Sequence, residues 1–139
     1  MKATGMTGGR PMTVYVSIPI TGRDPARQLR HARRVAAWLA SLGHAPVIPM
    51  DNGLPPSAPW EAHMRRDLAM MVGCDAVFMC SGWQDSDGCV TEHFVARRVA
   101  LPLFYEDELY LPCGRHATSG KDSSDNSKST DNNKNDKQK

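Results

Sequence analysis

Four short runs of β-branched and aromatic residues alternate with three amphipathic stretches, and this alternation constrains the fold more than any other feature of the chain. Strands that alternate with helices predict a parallel sheet joined by right-handed crossovers. The third run, DAVFMC, is almost continuously apolar, which is typical of a strand buried on both faces. The predicted elements are strand 13–18, helix 24–42, strand 45–49, helix 59–72, strand 75–80, helix 88–100 and strand 101–105.

The first helix carries a recognisable signal at each end. Asp24 is a suitable N-cap, Pro25 fits the first helical position, and Gly43 is suited to end the helix. The arginines at positions 27, 30, 33 and 34 of this helix are interpreted as a solvated face rather than a binding site.

Composition narrows the class of protein. A length of 139 residues suits one domain, and a hydrophobic content of 40% is enough for a core. The net charge is +2 and the basic residues do not interleave with aromatic ones, which argues against a nucleic-acid binder. No run approaches about 18 apolar residues, and no apolar leader segment is evident near the first methionine. We therefore expect no membrane span, no signal peptide and a cytoplasmic location.

The chain divides into three parts by composition. Residues 1–12 are rich in glycine and are expected to be flexible, whereas residues 13–112 are expected to form the folded domain. Residues 113–139 consist mainly of Ser, Asn, Asp and Lys, which cannot bury enough apolar surface to offset the entropy lost on ordering. We therefore predict a disordered tail without a specific function.

The four cysteines are Cys74, Cys80, Cys89 and Cys113. No pair has CxxC spacing, and no histidine-rich segment accompanies them, so the sequence predicts no metal site. We interpret these residues as small apolar side chains in a reducing compartment.

Ligands of open α/β sheets bind beyond the carboxyl ends of the strands. Two loops that contain Gly, Ser and Asp follow such ends here, Ser17–Arg23 and Ser81–Gly88, and each leads into a helix. Their backbone N–H groups are suited to an anion. No GxGxxG follows the first strand and no GxxxxGK[ST] occurs, so neither a dinucleotide fingerprint nor a P-loop is present and no cofactor is predicted.

Two carboxylates are predicted on inward helix faces. Glu92 lies in the middle of the best apolar face of the third helix, and Asp67 lies within the apolar stripe of the second. A buried carboxylate is costly unless it is paired or shifted in pKa. One interpretation is structural: backbone amides satisfy Glu92 in a first helical turn, and Asp67 forms an ion pair with Arg66 or Arg23.

Two such carboxylates on helices that flank the same strand favour a catalytic interpretation. Glu92 follows Gly88 closely, where the helix dipole favours the ionised form, and an ionised carboxylate is a competent nucleophile. Asp67 is suited to handle the proton of a leaving group, as in glycoside cleavage. The remaining candidates are interpreted as surface or packing residues: His44, His63, His93 and Cys89.

Four segments carry a family resemblance: VYVSIPITG, GHAPVIP, WEAHMRRDLAMMVGCDAVFM and SGWQDSDGCVTEHFVARRVALPLFYE. Over about residues 13–106 the chain resembles the nucleoside 2-deoxyribosyltransferase-like superfamily, and it looks closest to an uncharacterised bacterial and phage branch. The most specific piece is the SxGxxxE pattern from Ser86 to Glu92. The next is the D-(x)7-D segment from Asp67 to Asp75.

The resemblance implies an α/β fold, a Rossmann-like (flavodoxin-like) three-layer sandwich with a four- to five-stranded parallel sheet. The fifth strand is expected at Glu108–Leu111 if it is present. It also implies cleavage of the N-glycosidic bond of a deoxynucleoside or its 5′-monophosphate, with Glu92 as nucleophile, Asp67 aiding protonation of the base and Tyr15 orienting the glutamate. A dimer or larger homo-oligomer is expected. With the strand-end loops, the predicted substrate-binding residues are Ser17, Pro19, Ile20, Thr21, Gly22, Trp83, Ser86 and Gly88.

One residue departs from the family pattern. Ile18 occupies the place of a glycine after the first strand, and a β-branched residue limits close backbone approach to a ligand. Two hypotheses follow: an N-glycoside transferase or hydrolase that acts through Glu92, and a nucleotide-binding or nucleotide-sensing module without turnover. Paired carboxylates favour the first, because an anion-binding pocket gains nothing from two negative charges. Ile18 favours the second.

Overall fold

The computed structural model describes residues 6–109, and residues 1–5 and 110–139 lie outside the described part. Every predicted strand and helix is present, and each end lies within two residues of its predicted position. Short 3₁₀ turns follow β2, β3 and β4. The elements are β1 Thr13–Ser17, α1 Pro25–Ser41, β2 Ala45–Val47, α2 Trp60–Val72, β3 Ala76–Met79, α3 Asp87–Arg98 and β4 Leu103–Tyr105.

The four strands form one parallel sheet in the order β2-β1-β3-β4. Tyr15 lies level with Val47 on one side and with Val77 on the other, so β1 is an inner strand. The predicted α/β class with its parallel sheet is confirmed. The expected fifth strand is not seen in its described part, because residues Glu106–Glu108 form a 3₁₀ turn and residues 110 and 111 lie beyond the described range.

The two faces of the sheet are covered by different helices. Val14, Val16 and Phe78 pack with α1, whereas Tyr15 and Val77 pack with α2 and α3. Successive strand residues point to opposite faces, so neighbouring positions of β1 enter different cores. The fold is therefore a three-layer sandwich of Rossmann-like type.

The ends of α1 follow the signals predicted from the sequence, whereas one residue at an end of each of the other two helices is more exposed than expected. The Asp24 side chain accepts a hydrogen bond from the N–H of Ala26, and Pro25 is the first residue of α1. Gly43 follows α1 with a φ of 94°, a left-handed conformation that suits glycine. Trp60 and Val99, which the helical pattern placed on inward faces, are 44% and 53% exposed because they lie at the ends of their helices.

Residues before β1 are tied to the domain through a histidine. Met6, which lies within the segment expected to be flexible, is fully buried in the α1-side core. Nδ1 of His44 accepts a hydrogen bond from the N–H of Met12, and Nε2 donates to the carbonyl of Met6. Within residues 6–109, no helix has the length and apolar character needed to cross a membrane. The predicted tail and Cys113 lie outside the described residues.

Candidate active site

Alternation along β1 brings two hydroxyl groups to a carboxylate of α3. Tyr15 and Ser17 lie two positions apart, so both side chains point to the face that α3 covers. The Tyr15 hydroxyl donates to Oε2 of Glu92 at 2.7 Å, and the Ser17 hydroxyl donates to Oε1 at 2.6 Å. Glu92 is 4% exposed, and both hydroxyl-bearing residues are fully buried. Each carboxylate oxygen therefore has its own donor.

The electrostatics of Glu92 correct one expectation. Burial raises the pKa of its carboxyl group to about 7, although the hydrogen bonds from Ser17 and Tyr15 act against the rise. The helix dipole was expected to favour the ionised form, but α3 begins at Asp87 and Glu92 is its sixth residue. The dipole acts mainly within the first turn, so desolvation dominates. Hydroxyl groups, rather than backbone amides of a first turn, satisfy the carboxylate.

The second carboxylate, Asp67, is 7% exposed and is held by an amide side chain. Nδ2 of Asn52 donates to Oδ1 of Asp67 at 2.8 Å and lies 3.1 Å from Nδ1 of His63. Oδ1 of Asn52 accepts the N–H of Leu54, which fixes the orientation of the amide. His63 is thus an acceptor at Nδ1 and a donor at Nε2, where it lies 3.1 Å from the carbonyl of Pro55.

The structure replaces the expected ion pair of Asp67 with this network. Among residues 6–109, neither of the two ion pairs involves Asp67. Arg66 instead donates to the backbone carbonyl of Asn52 at 2.7 Å. Burial raises the pKa of Asp67, opposed by the hydrogen bond from Asn52 and by the proximity of His63. The charge of Asp67 also raises the pKa of Glu92, which places the two carboxylates in one electrostatic environment.

The loops after β1 and β3 meet at the carboxyl edge of the sheet. The space beside Gly82 is bounded by the side chains of Pro19 and Arg23, and Gly82 itself has a φ of 85°. Pro19 is buried. Arg23 lies close enough to Cys89 to act on that thiol electrostatically, which places a cation near the site. Of the other predicted loop residues, Ile20, Thr21 and Gly22 are exposed.

Ile18, the departure from the family pattern, points away from the carboxylates. Its side chain is 4% exposed and belongs to the core on the α1 side of the sheet. Ile18 follows Ser17 directly, so strand alternation sends the two side chains to opposite faces. The branched side chain therefore does not occupy the space beside Glu92.

The predicted substrate contacts at the start of α3 have local structural roles. The Ser86 hydroxyl caps α3 by accepting the N–H of Cys89 at 3.3 Å. Gly88 lies under a side chain of α2, because a Cβ placed there would be 3.4 Å from Sδ of Met64. Cys89 is 1% exposed, and burial raises its pKa to about 11, which makes the thiol a poor nucleophile.

Trp83, also predicted to bind substrate, is held in an aromatic cluster. Its ring stacks on His93 with centroids 4.2 Å apart and an interplanar angle of 23°. Nε2 of His93 lies 2.8 Å from the hydroxyl of Tyr105. The cluster joins the loop after β3 to α3 and β4. Among the described residues, no hydrogen bond joins Trp83 to Glu92.

Comparison with protein families gives one match that decides family membership. The family model described as a domain of unknown function, DUF4406, matches residues 12–105, which is most of the described chain. The chain belongs to this family. A search among curated proteins finds no match.

Among solved structures, the DUF4406 domain is similar to a 2-deoxyribosyltransferase from the psychrotolerant bacterium Bacillus psychrosaccharolyticus, described as a biocatalyst for nucleoside synthesis. The TM-score is 0.54 at 22% sequence identity, with 67% of this chain and 70% of the other covered. The resemblance found in the sequence is thereby confirmed at the level of the fold.

Two residues of the site in this DUF4406 domain escaped sequence analysis as site residues. Asn52 follows a 3₁₀ turn between β2 and α2, where no periodic pattern marks it. Arg23 was considered as the end of the loop Ser17–Arg23 and as an ion-pair partner of Asp67, but its side chain was not named as a site residue. The sequence signal near Asn52 was the glycine that follows it. Gly53 adopts a φ of 85° in the turn after Asn52. Potential metal ligands also converge in residues 6–109, at His31, Cys80 and Glu106, on the α1 face and away from Glu92.

Proposed function

We propose that this protein cleaves or transfers at the N-glycosidic bond of a (deoxy)nucleoside or nucleoside 5′-monophosphate, with retention, through Glu92. The observation that carries the proposal is the arrangement of Glu92. Its two oxygens are held by Tyr15 and Ser17 on an inner strand, and the second buried carboxylate, Asp67, lies near enough to interact with it. The fold of a 2-deoxyribosyltransferase supports the same reaction class.

The proposed reaction has two steps. A carboxylate oxygen of Glu92 attacks the anomeric carbon, the bond to the base breaks, and the departing base nitrogen takes a proton from Asp67. Water or the nitrogen of a second base then attacks the same carbon, Glu92 leaves, and the incoming group returns a proton to Asp67. Two inversions give net retention.

The surroundings of Asp67 and Glu92 suit these two roles. Burial raises the pKa of Asp67, which favours the protonated form that a general acid requires. A pKa of about 7 leaves Glu92 partly ionised at neutral pH, and the hydroxyl groups of Tyr15 and Ser17 favour the ionised form. Tyr15 keeps its own proton, because burial and the charge of Glu92 raise its pKa well above the usual value.

Arg23 bears on the choice between nucleoside and nucleotide. It lies beside Gly82, where the loops after β1 and β3 meet, and its positive charge acts to lower the pKa of Cys89. A guanidinium group at this edge is suited to a 5′-phosphate. We therefore favour the 5′-monophosphate as substrate. We also propose that the reaction takes place in the cytoplasm.

The second candidate function is a nucleotide-binding or nucleotide-sensing module on the same scaffold. The observation that favours it is the burial of Glu92, which is only 4% exposed. A nucleophile enclosed to this degree reaches an anomeric carbon only after neighbouring side chains move. In the sensing alternative the pocket binds the nucleotide and the bond to the base stays intact.

Self-association is part of the proposal. Val90 and Phe94 lie one turn apart on α3 and are 43% and 64% exposed, which forms an apolar strip on the side of the domain that carries Glu92. We propose that a second copy of the chain covers this strip. Sedimentation velocity of the wild type and of Phe94→Ser tests this, and a wild-type monomer at all concentrations argues against it.

The experiment that tests the function is incubation with a panel of deoxynucleosides and deoxynucleoside 5′-monophosphates, with and without an acceptor base. Chromatography then measures the released or exchanged base. Base release that needs Glu92 supports the enzyme. Saturable binding of a monophosphate without release supports the sensing module. Neither binding nor release with any member of the panel overturns both.

A further inference from the structure

A second convergence of functional side chains lies on the opposite face of the sheet. One ring nitrogen of His31, the sulfur of Cys80 and a carboxylate oxygen of Glu106 all lie within 4.8 Å of one another. Cys80 directly follows β3, Glu106 directly follows β4, and His31 lies on α1. The three residues are thus brought together by the carboxyl edge of the sheet and the helix that covers it. We propose that they form a binding site for a divalent transition metal of the Zn²⁺ type.

The state of Cys80 is the first argument for a ligand. Its side chain is fully buried, and among residues 6–109 its sulfur makes no hydrogen bond. The other described cysteines differ. Cys74 donates to the carbonyl of Met70 at 3.3 Å, and the thiol of Cys89 interacts with the hydroxyl groups of Ser17 and Ser86. Cys80 is therefore a buried sulfur directed at a histidine and a carboxylate.

The donor set is the second argument. Thiolate, imidazole and carboxylate are the ligands that Zn²⁺ uses, with distances of about 2.0 to 2.3 Å from the metal. Ligand atoms of one tetrahedral ion lie roughly 3.3 to 3.8 Å apart. Nε2 of His31 lies 3.0 Å from Oε1 of Glu106 and all three ligand atoms lie within 4.8 Å of one another, so small shifts of the side chains bring them to this spacing. One thiolate and one carboxylate balance the charge of the ion. The side chains of His31 and Glu106 are 22% and 12% exposed, so the cluster reaches the surface through these two residues.

The surrounding contacts hold Glu106 in place. Its Oε1 accepts the backbone N–H of Ser81 at 2.8 Å, and the Ser81 hydroxyl donates to the neighbouring Asp107.

Metal binding requires two proton movements. The thiol of Cys80 releases its proton to solvent as the sulfur–metal bond forms. Nε2 of His31 now donates to Glu106 at 3.0 Å while Nδ1 accepts from Arg34 at 2.7 Å. When Nε2 binds the metal, its proton moves to Nδ1, and the exposed Arg34 side chain must swing away. Arg34 is therefore a residue that weakens metal binding.

The test is a titration of the reduced full-length protein with Co²⁺, followed by Zn²⁺. A thiolate-to-cobalt charge-transfer absorption is expected and is lost when Zn²⁺ displaces the cobalt. Cys80→Ala is expected to abolish the absorption, whereas the matched variant Cys74→Ala keeps it. His31→Gln and Glu106→Gln are expected to weaken binding at least about tenfold, and Arg34→Gln is expected to tighten it by up to about tenfold.

Several outcomes overturn the proposal. A wild-type titration without charge-transfer absorption does so, and so does an absorption that persists in Cys80→Ala. Circular dichroism checks that each variant is folded. If Cys80→Ala does not fold, His31→Gln and Glu106→Gln decide the question, because both residues are partly exposed. Unchanged metal affinity in both variants rejects the site. Base release plays no part in the readout, so the result is independent of the proposed function.

Discussion

Val14 and Val16 point from β1 towards α1, whereas Tyr15 and Ser17 point from the same strand towards α3. The α1 face is apolar, and Phe78 of the neighbouring strand completes it with a ring 5.7 Å from that of Trp38. The α3 face instead buries hydroxyl groups against a carboxylate. One strand therefore supplies stability on one side and chemistry on the other, because its side chains alternate.

The difference between the faces has an energetic meaning. Apolar burial stabilises the fold in proportion to the area removed from water. A buried carboxylate with a raised pKa opposes folding once it is ionised. The α3 face is thus the one on which loss of charge is expected to spare or improve stability while function is lost. Variants on the two faces are expected to change stability and base release independently of each other.

The largest expected effect concerns Glu92. Glu92→Gln keeps the shape and hydrogen-bonding capacity of the side chain but cannot form a glycosyl ester, so base release is expected to fall by about 10³-fold or more. Stability is expected to be unchanged or higher, because a buried amide costs less than a buried carboxylate. Single-turnover base release and thermal unfolding measure both. Glu61→Gln, the same change at an exposed position of α2, is the control.

The next effect belongs to the α1 face. Phe78 is fully buried, and Phe78→Ala is expected to lower the free energy of unfolding by about 3 to 5 kcal/mol. The matched variant Phe94→Ala, at a position that is 64% exposed, is expected to cost less than about 0.5 kcal/mol. Urea unfolding at two protein concentrations measures both. A concentration-dependent loss in Phe94→Ala alone sharpens the case for self-association, and equal losses in both variants contradict the comparison.

A third effect is the dependence of stability on pH. The pKa of Glu92 is about 7 in the folded protein and 4.5 in its ordinary state. Its protonation therefore stabilises the fold fully below the ordinary pKa, and this contribution is lost as the pH rises through about 7. Between about pH 5 and about pH 8 the wild type is expected to lose on the order of 3 kcal/mol relative to Glu92→Gln.

Urea unfolding of both proteins at the two pH values measures this difference. Subtraction of the Glu92→Gln data removes contributions from other groups, such as His93, whose pKa burial lowers. If the free energies of unfolding of the two proteins change equally with pH, the result argues against a raised pKa of Glu92. If the protein cleaves the N-glycosidic bond as proposed, base release is expected to rise with pH through the same range, because Glu92 must be ionised to act as nucleophile.

The smallest effect is expected at Gly88. A Cβ at this position meets Sδ of Met64 at 3.4 Å, and the end of a flexible methionine moves at little cost. Gly88→Ala is expected to change stability by less than about 1 kcal/mol, because alanine also favours the helix. If the helix start contacts the sugar or phosphate, KM rises while kcat changes little. Gly73→Ala, at the end of α2, is the control, and an equal KM change there argues against the contact.

The sequence predicted the elements well because periodicity reports burial. The helical period of α3 was enough to place Glu92 on an inward face, the family resemblance implied Tyr15 as its partner, and the structure joins the two. The parallel sheet follows from the alternation of strands with helices, whereas the order of the strands was not predicted. The fold and the centre of the candidate site were therefore accessible before any coordinates.

The remainder depended on tertiary contacts that leave no periodic signal. Asn52 lies in an irregular segment, and its amide meets Asp67 only because the loop after β2 folds over α2. His31 and Cys80 are separated by 49 positions in the chain, so rules of ligand spacing did not connect them. The helix dipole was misapplied to Glu92, because whether a residue is in the first or second turn depends on a boundary known only to within a residue or two.

The inner position of β1 has a consequence for how this chain tolerates insertions and deletions. Loss or gain of one residue within Thr13–Ser17 exchanges the two faces for every position beyond it. A change at the start of the strand then turns the hydroxyl groups of Tyr15 and Ser17 towards the apolar core beside α1, and it turns the valines towards the carboxylate of Glu92. β1 pairs with a strand on each side, with Val47 and Val77 level with Tyr15. A shift of its register that restored the original faces would therefore disturb the pairing with both strands. The length of β1 is therefore expected to be fixed, because an insertion or deletion within it moves Tyr15 or Ser17 away from Glu92.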